Sequence, residues 1–160
     1  YNQGNEPDIH VPFLFGRLGQ PLRTGKVVQE LMLDSITHRY GGNDAYKTPF
    51  VGHAFKNAPR GYCPEMDEDD GTMSAWFVFA SMGMYPLIVG EPVYELFSPV
   101  FDRIELQMDE AAKVKTVIRT VGRKDMRQTL RRVTWNGAAL HNFQIKHAQL
   151  ARGGELVFWY

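Results

Sequence analysis

The sequence predicts an α+β chain, helical up to about residue 88 and β-rich from residue 89 to 160. Three observations carry this prediction. Apolar residues recur at three- and four-residue intervals from Leu22, the segment Ala75–Met82 is apolar except for Ser81, and short alternating runs begin after Gly90-Glu91-Pro92.

The first element follows the aromatic stretch Val11-Pro12-Phe13-Leu14-Phe15. Val27, Val28, Leu31, Met32 and Ile36 then trace one face of an amphipathic helix over about residues 22 to 39. Gly41-Gly42-Asn43-Asp44 supplies a stop, and residues 41 to 70 read mostly as loop. A loop of that length in a compact chain commonly carries function. Gly71-Thr72-Met73-Ser74 leads into the second helix, which is apolar almost all round and therefore suits burial. Gly83 and Pro86 end it. Strands are expected over Tyr94–Phe97, Arg103–Leu106, Val114–Val121, Thr129–Trp135 and Leu156–Trp159, with a tight turn at Asn136-Gly137.

Composition narrows the function classes. The 160 residues are 44% hydrophobic and 22% charged, enough apolar mass for a core. Lys+Arg and Asp+Glu both number 18, so there is no excess of basic charge to favour a nucleic-acid backbone. The longest apolar run, Ala75–Ala80, is six residues, far below a membrane span. Cys63 is the single cysteine, which excludes an intrachain disulfide and leaves the redox compartment open. The chain begins on Tyr1 with no signal peptide and opens directly on a dense motif, which predicts a piece of something longer.

Two constellations could carry chemistry. Tyr1-Asn2-Gln3-Gly4-Asn5-Glu6-Pro7-Asp8-Ile9-His10 presents amide, carboxylate and main-chain oxygens within one short segment, the ligand type that hard cations such as calcium prefer. The same residues also suit a polar loop with a helix cap at Asp8. In Glu65-Met66-Asp67-Glu68-Asp69-Asp70-Gly71, five of the first six residues are acidic. Charges this dense persist when a cation relieves them or water solvates them, and at a helix N-terminus the dipole helps hold them ionised. A linear EF-hand loop does not fit, because aligning Gly71 with the invariant glycine puts Met66 first and Phe77 at the bidentate position. Any cation here needs ligands from elsewhere in the chain. A pair of carboxylates is also what glycoside cleavage requires.

The order Gly4-Asn5-Glu6-Pro7-Asp8, Pro12-Phe13-Leu14-Phe15, Gly19-Gln20-Pro21, Asp67-Glu68-Asp69, Met73-Ser74-Ala75-Trp76-Phe77-Val78, Gly83-Met84-Tyr85-Pro86 and Ser98-Pro99 resembles the calcium-dependent exo-α-mannosidases of glycoside hydrolase family 92. The resemblance implies that residues 1–88 are the terminal helices and active-site loops of an (α/α)6 barrel and that 89–160 are a β-rich C-terminal segment. It implies an inverting enzyme that removes terminal α-linked mannose, α-1,2-linked in the first place, and that is secreted or periplasmic. By the same resemblance Asp69 is the general base and Asp67 its partner. Glu6 is a calcium ligand, helped by Asn5, Gln3 and Asp69, and His10 and Trp76 line or support the sugar pocket. Trp76 equally suits a core position. The family's catalytic acid is a glutamate upstream of the Asn-Glu-Pro motif, outside this chain, so the chain alone is expected to be inactive. The implied partners are a mannose-containing glycan and the remaining barrel with its N-terminal β-sandwich; neither nucleic acid nor a membrane span is expected. The alternatives are a nonenzymatic calcium-binding module, or a β half that is a carbohydrate-binding or purely structural module, whose feature is the alternation with the aromatics Tyr94, Phe97, Trp135 and Trp159.

Overall fold

The computed structural model describes residues 1–39, 49–59, 61, 66, 68 and 70–160. The chain opens with two 3-10 turns, Glu6–Asp8 and Val11–Phe13, that run directly into the short helix α1 (Leu14–Arg17). Pro7 and Pro12 sit early in their turns, where the missing N–H costs nothing. The helix α2 (Pro21–Leu33) buries Thr24, Gly25, Val28, Gln29, Leu31 and Met32 along one face.

Here the structure departs from the sequence reading. α2 stops at Leu33 because Asp34 is extended (ψ 161°), and residues 35–38 form strand β1 (Ser35–His38), which pairs antiparallel with β2 (Phe50–His53). The four-residue spacing from Met32 to Ile36 mimics helix, but Ile36 reaches the core from a strand. The expected loop over 41–70 therefore contains a strand, while the Gly41-Gly42-Asn43-Asp44 stop lies outside the described residues.

Helix α3 (Thr72–Met82) matches the sequence reading. At its start the Glu68 carboxylate accepts the Ser74 backbone N–H at 3.2 Å and the Ser74 hydroxyl at 2.9 Å, which satisfies a donor that the helix itself leaves free. At its end Gly83 adopts φ 76°, and its N–H closes on Ala80 and Phe79.

β3 (Met84–Tyr85) follows at once and pairs antiparallel with β4 (Val93–Leu96), the loop near residue 88 lying between them. β4 also pairs with β9 (Gln144–Lys146). A larger sheet has the order β5 (Arg103–Asp109), β6 (Val114–Val121), β10 (Gly154–Trp159), β7 (Arg132–Trp135), β8 (Ala138–Ala139). Only the central β6–β10 pair is parallel, and its crossover carries β7, β8, β9 and the short helix α4 (His147–Leu150). Asn136 and Gly137, at φ 47° and 84°, form the two-residue turn between β7 and β8.

Two buried clusters result. Phe13, Val28, Leu31, Met66, Met73 and Trp76 anchor the helical one; Leu96, Ile118, Val133, Ile145, Leu156 and Phe158 anchor the β one. β3 and β4 lie between them. Because side chains alternate along a strand, the cross-strand partners Met84 and Leu96 enter the β cluster while the next pair, Tyr85 and Glu95, faces the N-terminal turns.

Candidate functional site

A cavity of about 730 Å³ lies between the first 3-10 turn, the start of α3 and the segment after β3. Asn5, Glu6 and His10 line it from one side, Thr72 from the helix end, and Tyr85, Leu87 and Val89 from the other. Each wall has a local cause. Main-chain bonds Asn5 N–H to Asn2, Asp8 N–H to Asn5 and Ile9 N–H to Glu6 coil the motif into successive turns. Trp76 then donates its indole N–H to the Ile9 carbonyl at 3.0 Å and fixes those turns to α3.

The polar groups are unevenly satisfied. Asn5 donates through Nδ2 to Asp8 at 3.0 Å, which leaves its amide oxygen to face other partners. The Gln3 side chain is fully buried; its Oε1 accepts the Tyr1 hydroxyl, so its main-chain oxygen is the one left for a ligand role. About half of the Tyr1 surface is exposed, yet its phenol pKa is pushed up, first by burial of the ring's polar end and then by the charge of Asp8. The hydroxyl therefore stays protonated and remains a donor. Glu6 is half-buried, and its Oε2 is enclosed with no hydrogen-bond partner among the described residues. An enclosed carboxylate oxygen with no donor is costly, and a hard cation relieves that cost. The oxygen-only donor set of Glu6, Asn5 and main-chain carbonyls fits such an ion.

The structure also relates this motif to the acidic one. Gly4 packs against Met66, whose side chain is buried in the helical core and whose backbone immediately precedes Asp67. Thr72, one wall of the cavity, lies three residues beyond Asp69. Asp67 and Asp69 themselves lie outside the described residues. Among the described residues no group of three or more His, Cys, Asp or Glu side chains is placed to hold a metal.

His10 is exposed at the cavity wall. Trp76 is buried, stacked on Phe55 with ring centroids 5.4 Å apart and next to Phe13 at 5.9 Å, so it supports the turn from behind. The sequence reading gave no role to Tyr85, although Gly83-Met84-Tyr85-Pro86 was among its motifs; the ring lines the cavity and stacks on Phe13 at 3.9 Å. The β-half aromatics are engaged in packing: Phe97 is buried, Tyr94 stacks on Phe79, and the Trp159 N–H is donated to Thr134.

Comparison with known proteins supplies the family. The description of the glycosyl hydrolase family 92 catalytic domain matches residues 46–160, well over half of the chain. The chain belongs to glycosyl hydrolase family 92. The match includes the β half, which is therefore part of the family's catalytic domain. The chain is similar to a curated protein of Arthroderma benhamiae, named as an uncharacterized secreted glycosidase, at 26% identity over 155 residues, covering 96% of this chain and 17% of that one. Among solved structures it resembles the family 92 glycosyl hydrolase ccman5, with a TM-score of 0.88 and 27% identity, over 99% of this chain and 22% of that one. It also resembles a family 92 inverting mannosidase of Bacteroides thetaiotaomicron, with a TM-score of 0.75 and 28% identity, over 99% of this chain and 18% of that one. The chain thus spans about a fifth of the length of these relatives.

Proposed function

We infer that this chain is the C-terminal part of an inverting exo-α-mannosidase that hydrolyses terminal α-linked mannose, α-1,2-linked in the first place, from glycans outside the cytoplasm. The observation that carries the reading is the enclosed Glu6 oxygen, unpartnered among the described residues, in a cavity shared with the start of α3. Residues 1–88 then supply the last helices and loops of an (α/α)6 barrel, and 89–160 its β-rich C-terminal segment. Phe77 and Val78 leave an apolar strip of α3 exposed, as expected of a helix that packs against further helices.

In this reading Glu6, with Asn5, the Gln3 main chain and Asp69, would hold a calcium ion, whose charge would serve to polarise the hydroxyls of the terminal sugar. Asp69 takes a proton from water as the water oxygen bonds to the anomeric carbon, and Asp67 steadies that carboxylate. The glycosidic C–O bond breaks on the opposite face, its electrons staying with the leaving oxygen, which is protonated by a glutamate outside this chain. Single displacement inverts the configuration. His10 borders the sugar, and Trp76 holds the turn that carries His10. The chain by itself lacks the acid and is expected to be inactive.

The test is Asp69→Asn in the full-length protein with mannose release as the readout. Loss of roughly a thousandfold or more in turnover is expected for removal of a general base; near-normal turnover refutes the assignment.

A further inference from the structure

The N-terminal turns that carry Glu6 and His10 are gripped by the paired strands β3 and β4 at two points one helical turn apart. Phe13 and Arg17 are four residues apart and project from the same side of the helical run. On the β side Tyr85 and Glu95 are direct cross-strand partners, so they also share a face. Tyr85 stacks on Phe13 at 3.9 Å, and Glu95 accepts the Arg17 Nε–H at 2.5 Å.

The Glu95 carboxylate is nearly fully buried, its side chain 3% exposed, and Gln144 of β9 donates to the same oxygen at 2.8 Å. Arg17 uses its second arm on Glu91 at 2.8 Å, and these two carboxylates hold the guanidinium pKa up. Gly16 belongs to the fit: a Cβ at that position would lie 2.8 Å from Glu95 Oε2, so a side chain there would displace the carboxylate. A carboxylate buried this deeply needs its cation, and Arg17 is the cation that the structure provides.

We propose that Glu95, with Arg17 and Gln144, is a positioning residue of the family 92 site: it clamps the α1 end of the helical run so that Glu6 and His10 hold their places at the cavity. The role rests on the functional reading above. It makes the β half a working part of the catalytic unit, where a purely structural appendage would have no reason to place a buried charge against the metal-binding segment.

The experiment uses the full-length protein and three variants, Glu95→Gln, Arg17→Lys and Glu105→Gln. The last removes an exposed pair with Arg103 and Lys115 on the same β half and serves as the control. Hydrogen exchange followed by mass spectrometry reads the amides of residues 9–18 against those of β5 and β6. Glu95→Gln should accelerate exchange in 9–18 by roughly tenfold and leave β5 and β6 at wild-type rates. It should also raise the calcium concentration for half-maximal mannosidase activity by roughly 10-fold to 100-fold, with kcat at saturating calcium within about threefold of wild type. Arg17→Lys keeps the charge but loses the two-armed fork, so it should shift both readouts the same way by less.

Equal acceleration across both regions, or unchanged protection of 9–18, overturns the proposal. If Glu95→Gln fails to fold, Arg17→Lys decides by the same two criteria. A wild-type protein without calcium-dependent mannosidase activity defeats the functional reading instead, while the exchange data still judge the clamp.

Discussion

Replacing Trp76 with Phe separates two roles that a tryptophan near a sugar site can have. The side chain is buried, and its indole N–H is the donor to the Ile9 carbonyl at 3.0 Å. Phe keeps a ring against Phe55 but has no donor, so the Ile9 carbonyl is left enclosed without a partner at a cost of about 1–3 kcal/mol. The smaller ring also gives up roughly 40 Å² of buried apolar area, worth about 1 kcal/mol at ~25 cal/mol per Å². The sum is a destabilisation of about 2–4 kcal/mol, read by urea denaturation of the intact protein with far-UV circular dichroism. Substrate KM should rise only as far as the Ile9 turn loosens. An unfolding shift under about 0.5 kcal/mol together with a tenfold or larger rise in KM would refute the supporting role and place the indole against the sugar.

Three further outcomes follow from the geometry. Glu6→Gln should make the calcium-free protein more heat-stable, because an enclosed carboxylate oxygen unpartnered among the described residues is removed, and should abolish the stabilisation that calcium is expected to give the wild type under the proposed function; thermal denaturation with and without EDTA reads both. Gly83→Ala should cost about 3 kcal/mol or more, since Gly83 sits at φ 76° and the new Cβ would lie 2.5 Å from the Phe97 carbonyl oxygen and 2.8 Å from the Pro99 nitrogen, both backbone atoms; a loss below about 1 kcal/mol by chemical denaturation would contradict the contact. The Glu155 carboxyl is held below its ordinary value of 4.5, chiefly by the hydrogen bonds from Arg119, so its contribution is present at neutral pH and lost as pH falls through the depressed folded value. The stability gap between wild type and Glu155→Gln should therefore be small but widest near neutral pH, close below about pH 4, and narrow with added salt; a gap that widens with acid would reverse the sign.

The elements that could be read from sequence are those whose signals are local. Val114–Val121 was expected as a strand from its own alternation and forms β6 over those residues. Gly83 and Asn136-Gly137 mark their turns through backbone conformations that few other residues adopt at low cost. The β1–β2 ribbon was hidden because Met32 and Ile36 satisfy a helical spacing and the pairing partner lies beyond residues 40–48, so only tertiary contact identifies the strand. Trp76 stayed ambiguous since a helix that is apolar all round does not reveal which face meets the core. Glu95 gave no signal at all. One acidic residue in an alternating run looks solvent-facing, and its burial depends on Arg17, 78 residues away.

The acidic run is the clearest case of structure dividing labour that composition leaves undivided. Glu68 spends its carboxylate on the backbone N–H and hydroxyl of Ser74, which ties the loop to the first turn of α3. That leaves its neighbours for chemistry in the proposed mechanism, in which Asp69, three residues before Thr72 in sequence, would accept the proton. Gly4 lies against Met66, so the turns bearing Glu6 meet the chain one residue before Asp67. In the proposed mechanism the Glu6 turns and the acidic run would therefore be linked through one buried methionine and one capped helix. In that mechanism a change in the acidic run is expected to alter both calcium response and turnover, whereas a change acting only on the N-terminal turns, such as Glu95→Gln, should shift calcium affinity and leave the turnover of the saturated enzyme near wild type.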